Sequence, residues 1–253
     1  MNAKLPMADH RWPVEKPANV RRFFQMINRK SKIVNGFTLV ELLVVISIIG
    51  VLAGFTFVTL RRVKRGQFIN QTRGEMAEIV SAIDSYHTDY GFYPPDNPGN
   101  PLTNQLYYEL IGTTNTSAPN VTPAVFQTLD GSSANTSSQL TSSFGGVSAF
   151  INCSKHGADE ESKPARNYLH QLRPTQTATI NGMTVLAGSV GLVDPTYQPV
   201  PSAPGVNPWR YRSSGTLPNN PGSYELWIQL AIQGKTNLIC NWSKVVQINT
   251  PQP

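Results

Sequence analysis

The sequence predicts an α+β fold. One long N-terminal helix, membrane-spanning in its first half and amphipathic in its second, packs on a C-terminal antiparallel sheet. Three observations predict it. Residues 42–60 form a run of nineteen without a charge, close to the roughly 20 residues a helix needs to cross a bilayer. From Ile69 onward the apolar positions recur at spacings of three, four and seven, the mark of a one-sided helix. Beyond Thr177, short alternating apolar segments are separated by Asn-Gly and Gly turn signals, as in antiparallel hairpins.

The segment ahead of the apolar run is basic. Residues 1–36 hold Lys4, Arg11, Lys16, Arg21, Arg22, Arg29, Lys30 and Lys32 against Asp9 and Glu15, so the whole +6 formal charge of the chain resides there. The remainder carries thirteen basic and thirteen acidic residues. The excess charge therefore gives no reason to expect a nucleic-acid partner. A basic flank on one side of an apolar helix predicts a cytoplasmic N-terminus and an exported C-terminal part. Arg61, Arg62, Lys64 and Arg65, on the far side, run against that rule. An ordinary secretory signal has a shorter apolar core followed by its cleavage site. Here the cut-like pair Gly36-Phe37 precedes the apolar run, so cleavage there leaves the helix on the mature protein. Met26 is an alternative start that gives a short basic leader. Arg21-Arg22-Phe23-Phe24 is similar to a twin-arginine signal, but the apolar run begins too far downstream for one.

No proline interrupts the chain between Phe37 and Tyr90. Gly91 is a C-terminal stop and Pro94-Pro95 forbid continuation. The simplest reading is one helix over 37–90, about 80 Å long at 1.5 Å per residue. Its outer half presents Ile69, Met76, Ile79, Val80, Ile83, Tyr86 and Tyr90 to a core, with Asn70, Gln71, Arg73, Glu75, Glu78 and Asp84 on the polar face. Gly50, Gly54, Gly66 and Gly74 each cost about 1 kcal/mol against Ala. Gly50 and Gly54 form a small-xxx-small pair that lets membrane helices approach closely, although glycine is also simply frequent in such helices.

Residues 94–150 are rich in Asn, Ser, Thr and Pro. A short helix is expected over 104–111, and residues 112–143 read as a long surface insertion. Residues 151–253 read as a β-rich globular part. A hairpin is expected around Asn181-Gly182, with strands at 209–212, 224–232 and 237–242. The resulting division is a leader 1–36, a transmembrane half 37–60, an amphipathic half 61–93, an insertion 94–150 and a globular part 151–253.

No catalytic constellation is present, and no enzyme activity is expected. His10, His87, His156 and His170 show no metal-ligand spacing, and neither a phosphate loop nor a nucleophile elbow occurs. Cys153 and Cys240 can pair in an oxidising compartment or remain buried thiols; spacing alone does not decide. Glu41 stands out, because a carboxylate at the edge of an apolar helix is costly unless paired. Cleavage after Gly36 would create an α-amino group on Phe37, a cation at a helix start where the dipole disfavours it. Glu41 of a neighbouring copy can pair with that amine and register the two subunits.

Gly36-Phe37-Thr38-Leu39-Val40-Glu41, followed by a membrane-length apolar helix, resembles the prepilin signal of type IV pilins and type II secretion pseudopilins. The resemblance implies cleavage after Gly36 by prepilin peptidase and N-methylation of Phe37. It also implies assembly through Glu41, the fifth residue of the mature chain, with a pilin-like fold. Residues 82–94, ending Tyr90-Gly91-Phe92-Tyr93-Pro94, are similar to the pseudopilin stretch that closes its long helix with an aromatic-Gly-x-Tyr-Pro turn. Asn207-Pro208-Trp209-Arg210-Tyr211 is similar to the family's Asp-Pro-Trp-Gly-x-Pro-Tyr segment, with Asn for Asp and no Gly, and the major pseudopilin is the nearest type. Major pseudopilins often bind calcium in a late Asp-rich loop. The corresponding residues 215–223 have no carboxylate, only Asn219, Asn220 and carbonyls, so no cofactor is expected.

The expectation is a structural subunit of a type II secretion pseudopilus or type IV pilus-like filament. It starts as a single-pass protein of the bacterial inner membrane with its C-terminal domain periplasmic or extracellular. Its expected partners are other copies and related pseudopilins, the prepilin peptidase, membrane lipid, and an assembly platform with a cytoplasmic ATPase. The alternative is a singly anchored exported binding protein that never polymerises. Secretion, adhesion and DNA uptake, and major or minor subunit, are equally compatible with these residues.

Overall fold

The structure, a computed structural model, describes residues 36–118, 121–155, 163–191 and 194–249, with the backbone alone described over 56–62. The expected leader, apart from Gly36, lies outside the described residues. So do Met26, His10 and His156. The chain divides into two units, residues 1–56 and 57–253.

Helix α1 (Leu39–Tyr90) is unbroken. It starts two residues later than the sequence suggests, because Phe37 and Thr38 form its entry. Glycines 50, 54, 66 and 74 all lie within it. In the first unit, every large apolar side chain from Phe37 to Phe55 is exposed. The membrane-spanning half expected over 37–60 is not shown: among the described residues no helix is long and apolar enough to cross a membrane. The described side chains of the apolar run end at Phe55.

In the second unit, α1 buries Ile79, Ala82, Ile83 and Tyr86 in the main core, with Ile69, Met76, Val80 and Tyr90 half-buried around them. The helix stops where Gly91 takes φ +80° and donates its N–H to the His87 carbonyl at 2.8 Å. Opposite lies an antiparallel sheet of β7 (Arg210–Arg212), β8 (Glu225–Ile232), β9 (Lys235–Cys240) and β10 (Ser243–Ile248) in the order β10-β9-β8-β7. All of β8 is buried, because both its faces are covered. Leu226, Ile228, Leu230 and Ile232 join the core with α1, while Trp227 packs with Leu238, Cys240 and Trp242 in a separate cluster. That split follows from side chains alternating across a strand. The hairpin β5 (Thr177–Ile180) with β6 (Met183–Leu186) forms as expected. Asn181 and Gly182 both take positive φ, as a type I′ turn requires. Strand β10 was not foreseen.

The Asn/Ser/Thr-rich segment is a correction. It is folded, not a surface insertion. Helix α2 (Leu106–Ile111) is followed by β1 (Thr113–Asn115), β2 (Val125–Thr128), β3 (Ala134–Thr136), α3 (Ser137–Ser143) and β4 (Cys153–Ser154), which make a sheet ordered β3-β2-β1-β4. The β1–β4 pair is parallel, whereas the expected C-terminal sheet, β7 to β10, is antiparallel throughout. Phe126, Leu140, Phe144 and Phe150 from this segment belong to the main core. Its strands are too short for an alternating pattern to register, and buried polar residues replace apolar ones. Asn135, for example, is buried and accepts the Tyr108 hydroxyl at 2.8 Å. Gly112 ends α2 at φ 80°, ψ 155°, a conformation essentially confined to glycine.

Candidate functional site

The entry of α1 is a capping box. Thr38 is the N-cap: its Oγ1 accepts the Glu41 N–H at 3.2 Å. Glu41 reaches back, and its Oε2 accepts the Thr38 N–H at 2.9 Å and the Thr38 hydroxyl at 2.8 Å. The Thr38 carbonyl then accepts the first helical bond, from Leu42 at 3.1 Å. Such a reciprocal box satisfies two otherwise orphaned N–H groups and is worth about 1 kcal/mol. The sequence contains its signature, Thr-x-x-Glu, but the reading of Glu41 as a waiting ion-pair partner passed over it. Glu41 therefore has a local role within its own chain. Its Oε1 accepts no hydrogen bond among the described residues, and the residue is exposed. The arrangement can do two things at once: Oε2 holds the helix start while Oε1 stays available to an external cation.

Gly36 and Phe37 are exposed, as a cleavable pair must be. Gly50 and Gly54 are also exposed, and no atom lies within 4 Å of where a Cβ would stand on either. That stretch of helix is open to close approach by another helix.

The two cysteines are not joined. Both are free, Cys153 half-buried and Cys240 buried. Cys153 sits in β4 beside β1, whereas Cys240 closes β9 against Trp227 and Trp242. Burial pushes both thiols above their ordinary pKa. Among the described residues no group of three or more His, Cys, Asp or Glu is placed to hold a metal. In the 215–223 loop, Asn219 donates its backbone and side-chain N–H groups to Glu225 Oε1 at 2.8 and 3.2 Å. Asn220 donates to the Tyr224 carbonyl at 3.0 Å. These amides point donors, not acceptors, at the protein. His87 stacks on Tyr93 with ring centroids 4.3 Å apart, and His170 is exposed.

Several structural carboxylates were missed. Glu75, assigned to the polar face, is 1% exposed. It accepts the Ser189 N–H at 3.1 Å, and the Ser189 hydroxyl donates to its other oxygen. This grips the loop after β6 against α1. Glu109 is buried in α2 and ties three elements together. Its Oε1 accepts Ile151 N–H at 2.9 Å, and its Oε2 accepts Asn152 N–H at 3.0 Å and the Tyr86 hydroxyl at 3.1 Å. Desolvation raises its pKa, against the pull of those three donors. Asp89, near the end of α1, accepts the Tyr168 hydroxyl at 2.7 Å and pairs with Arg166 at 2.9 Å. The Tyr168 bond, with Arg166 and Lys163 nearby, holds its carboxyl below the ordinary range. A charged residue inside an apolar cluster, such as Glu109 in Leu106-Tyr107-Tyr108-Glu109-Leu110-Ile111, was the signal available for these.

Residues 32–57 match the prokaryotic N-terminal methylation motif. No curated protein and no solved structure matches the chain. The match takes in Gly36, Phe37, the Thr38–Glu41 box and the exposed first part of α1. The match is confined to the start of the N-terminal helix and is the feature a type IV pilin-like protein would share.

Proposed function

We propose that this protein is a structural subunit of a type II secretion pseudopilus or type IV pilus-like filament. In this reading prepilin peptidase cuts between Gly36 and Phe37, and residues 37–60 anchor the subunit in the inner membrane before assembly. The observation that carries the reading is the coincidence, within residues 32–57, of the methylation motif with a helix entry whose carboxylate has one bound and one open oxygen.

Cleavage replaces the Gly36-Phe37 amide by an ammonium group at the positive end of the α1 dipole. The same chain's Glu41 is already engaged by Thr38. The open Oε1 of a neighbouring subunit supplies the missing countercharge, and the two charges attract more strongly in an apolar surround than in water. The bare face at Gly50 and Gly54 supports close packing of neighbouring helices. The subunit catalyses nothing. An assembly platform with a cytoplasmic ATPase supplies the work.

The test is overproduction of the wild-type protein with its assembly partners, followed by electron microscopy and crosslinking between adjacent α1 helices. Filaments with α1–α1 crosslinks are expected. Processed protein that stays monomeric in the membrane would overturn assembly in favour of a singly anchored binding protein.

A further inference from the structure

The basic residues that defy the charge rule are part of a larger surface. Residues 57–74 carry Arg61, Arg62, Lys64, Arg65 and Arg73 and no carboxylate. Residues 226–249 carry Lys235 and Lys244 and again no carboxylate. The fold brings these two segments together. Arg65 donates through Nε and Nη2 to Asn237 Oδ1 at 3.2 and 2.8 Å. Asn237 in turn donates to the Lys235 carbonyl at 3.1 Å, which sets the β8–β9 turn beside this part of α1. Eight residues on, Arg73 donates to the Lys244 carbonyl at 2.6 Å, which sets β10 beside the next turns of the helix.

Five described cations, Lys64, Arg65, Arg73, Lys235 and Lys244, thus gather at one pole of the second unit, and Arg61 and Arg62 precede them in the sequence. The next carboxylate along α1 after Arg73, Glu75, is buried and engaged by Ser189. The rest of residues 37–253 holds thirteen carboxylates against six cations, so the neutral mature chain is strongly polarised. Among the described residues no ion pair neutralises these five cations. Arg65 and Arg73 are held by neutral oxygens, and Lys64, Lys235 and Lys244 are exposed. Among the described residues the two ion pairs, Arg166–Asp89 and Arg212–Glu225, lie elsewhere.

We propose that this pole is a docking surface for anionic phospholipid headgroups on the outer face of the membrane that the apolar run enters. It rests on the reading of residues 42–60 as membrane-embedded. The charge complementarity is to a phosphate-rich surface, and Arg61 and Arg62 lead in sequence from the end of the apolar run to the pole. Polybasic segments next to a membrane gain attraction from anionic lipid, and that attraction is screened by salt. Docking holds the globular unit down on its leaflet until it is withdrawn into a filament. It also explains why cations are kept on the exported side: they bind lipid there instead of setting topology.

The full chain is reconstituted into vesicles of phosphatidylcholine alone and of phosphatidylcholine with phosphatidylglycerol. Alkaline-carbonate resistance reads insertion, and amide hydrogen exchange over 233–236 and 243–248 reads docking. The expected result is equal insertion in both, with slower exchange only in the anionic vesicles and loss of that protection at about 0.5 M salt. K64Q/K235Q/K244Q, which changes only exposed side chains, should lose the protection at about fivefold per cation, while K155Q keeps it. Insertion with exchange that ignores lipid charge overturns the docking surface and leaves the membrane reading intact. Failure to insert in either vesicle overturns the membrane reading and the docking surface with it.

Discussion

Two roles meet at Glu41, and they can be separated by two substitutions. Glu41→Gln retains an amide oxygen that can accept from Thr38, so the capping box survives, since Gln serves at that position as Glu does. It removes the negative charge. Glu41→Val removes both, costing about 1 kcal/mol at the helix start. Two unit charges about 4 Å apart at an effective dielectric near 20 attract by roughly 4 kcal/mol. Desolvation offsets much of that, and even about 1.4 kcal/mol surviving is tenfold in the subunit concentration needed for growth. Both variants are therefore expected to be processed and membrane-associated at wild-type levels, and both to lose filaments at least tenfold. The assay is membrane fractionation beside electron microscopy of the same cells. Wild-type filament yield from Glu41→Gln, with failure of Glu41→Val, would show that the cap alone matters and refute the ion pair. Normal assembly by both would remove Glu41 from assembly altogether.

Further predictions concern the second unit. Intact mass of the exported protein is expected to show no two-dalton loss, and Cys153 and Cys240 are expected to react with a thiol reagent without reductant once unfolded; a crosslinked 153–240 peptide would contradict the structure. Gly112→Ala is expected to cost at least about 2 kcal/mol, because a Cβ would stand 2.9 Å from the Arg166 carbonyl at a positive φ; an unchanged denaturant midpoint would refute it. The raised pKa of Glu109 means that the folded chain holds that proton more tightly than the unfolded chain, whose value is near 4.5. Its contribution is thus fully present below that value and is lost as pH rises through the higher folded pKa. The stability of wild type relative to Glu109→Gln should fall as pH rises above the unfolded value of 4.5, and a flat difference in denaturant melts would contradict this.

The parts of the fold visible in the sequence are those where one physical signal dominates. The three-four spacing of Ile79, Ile83 and Tyr86 fixed the buried face of α1, because nothing competes with burial there. Asn181-Gly182 announced its hairpin because few other residues take two positive φ values in a row. Glu75 failed the same reading because its burial depends on Ser189, more than a hundred residues away, and no local pattern encodes such a partner. The 94–150 segment failed for a related reason. Beyond α2 its core uses Phe126, Leu140 and Phe150, widely spaced among Asn, Ser and Thr that bond to one another and to the backbone. Glu41 was found by its cost in an apolar setting, yet its bond to Thr38 was legible three residues away.

The central claim is that Gly36-Phe37 is a processing site and that α1 begins the mature protein. The most direct measurement is mass spectrometry of the N-terminal peptide from membrane-extracted protein in cells with an active prepilin peptidase. The account predicts a mature chain starting at Phe37 and carrying an N-methyl group. A native chain that still carries residues 26–36 would contradict it.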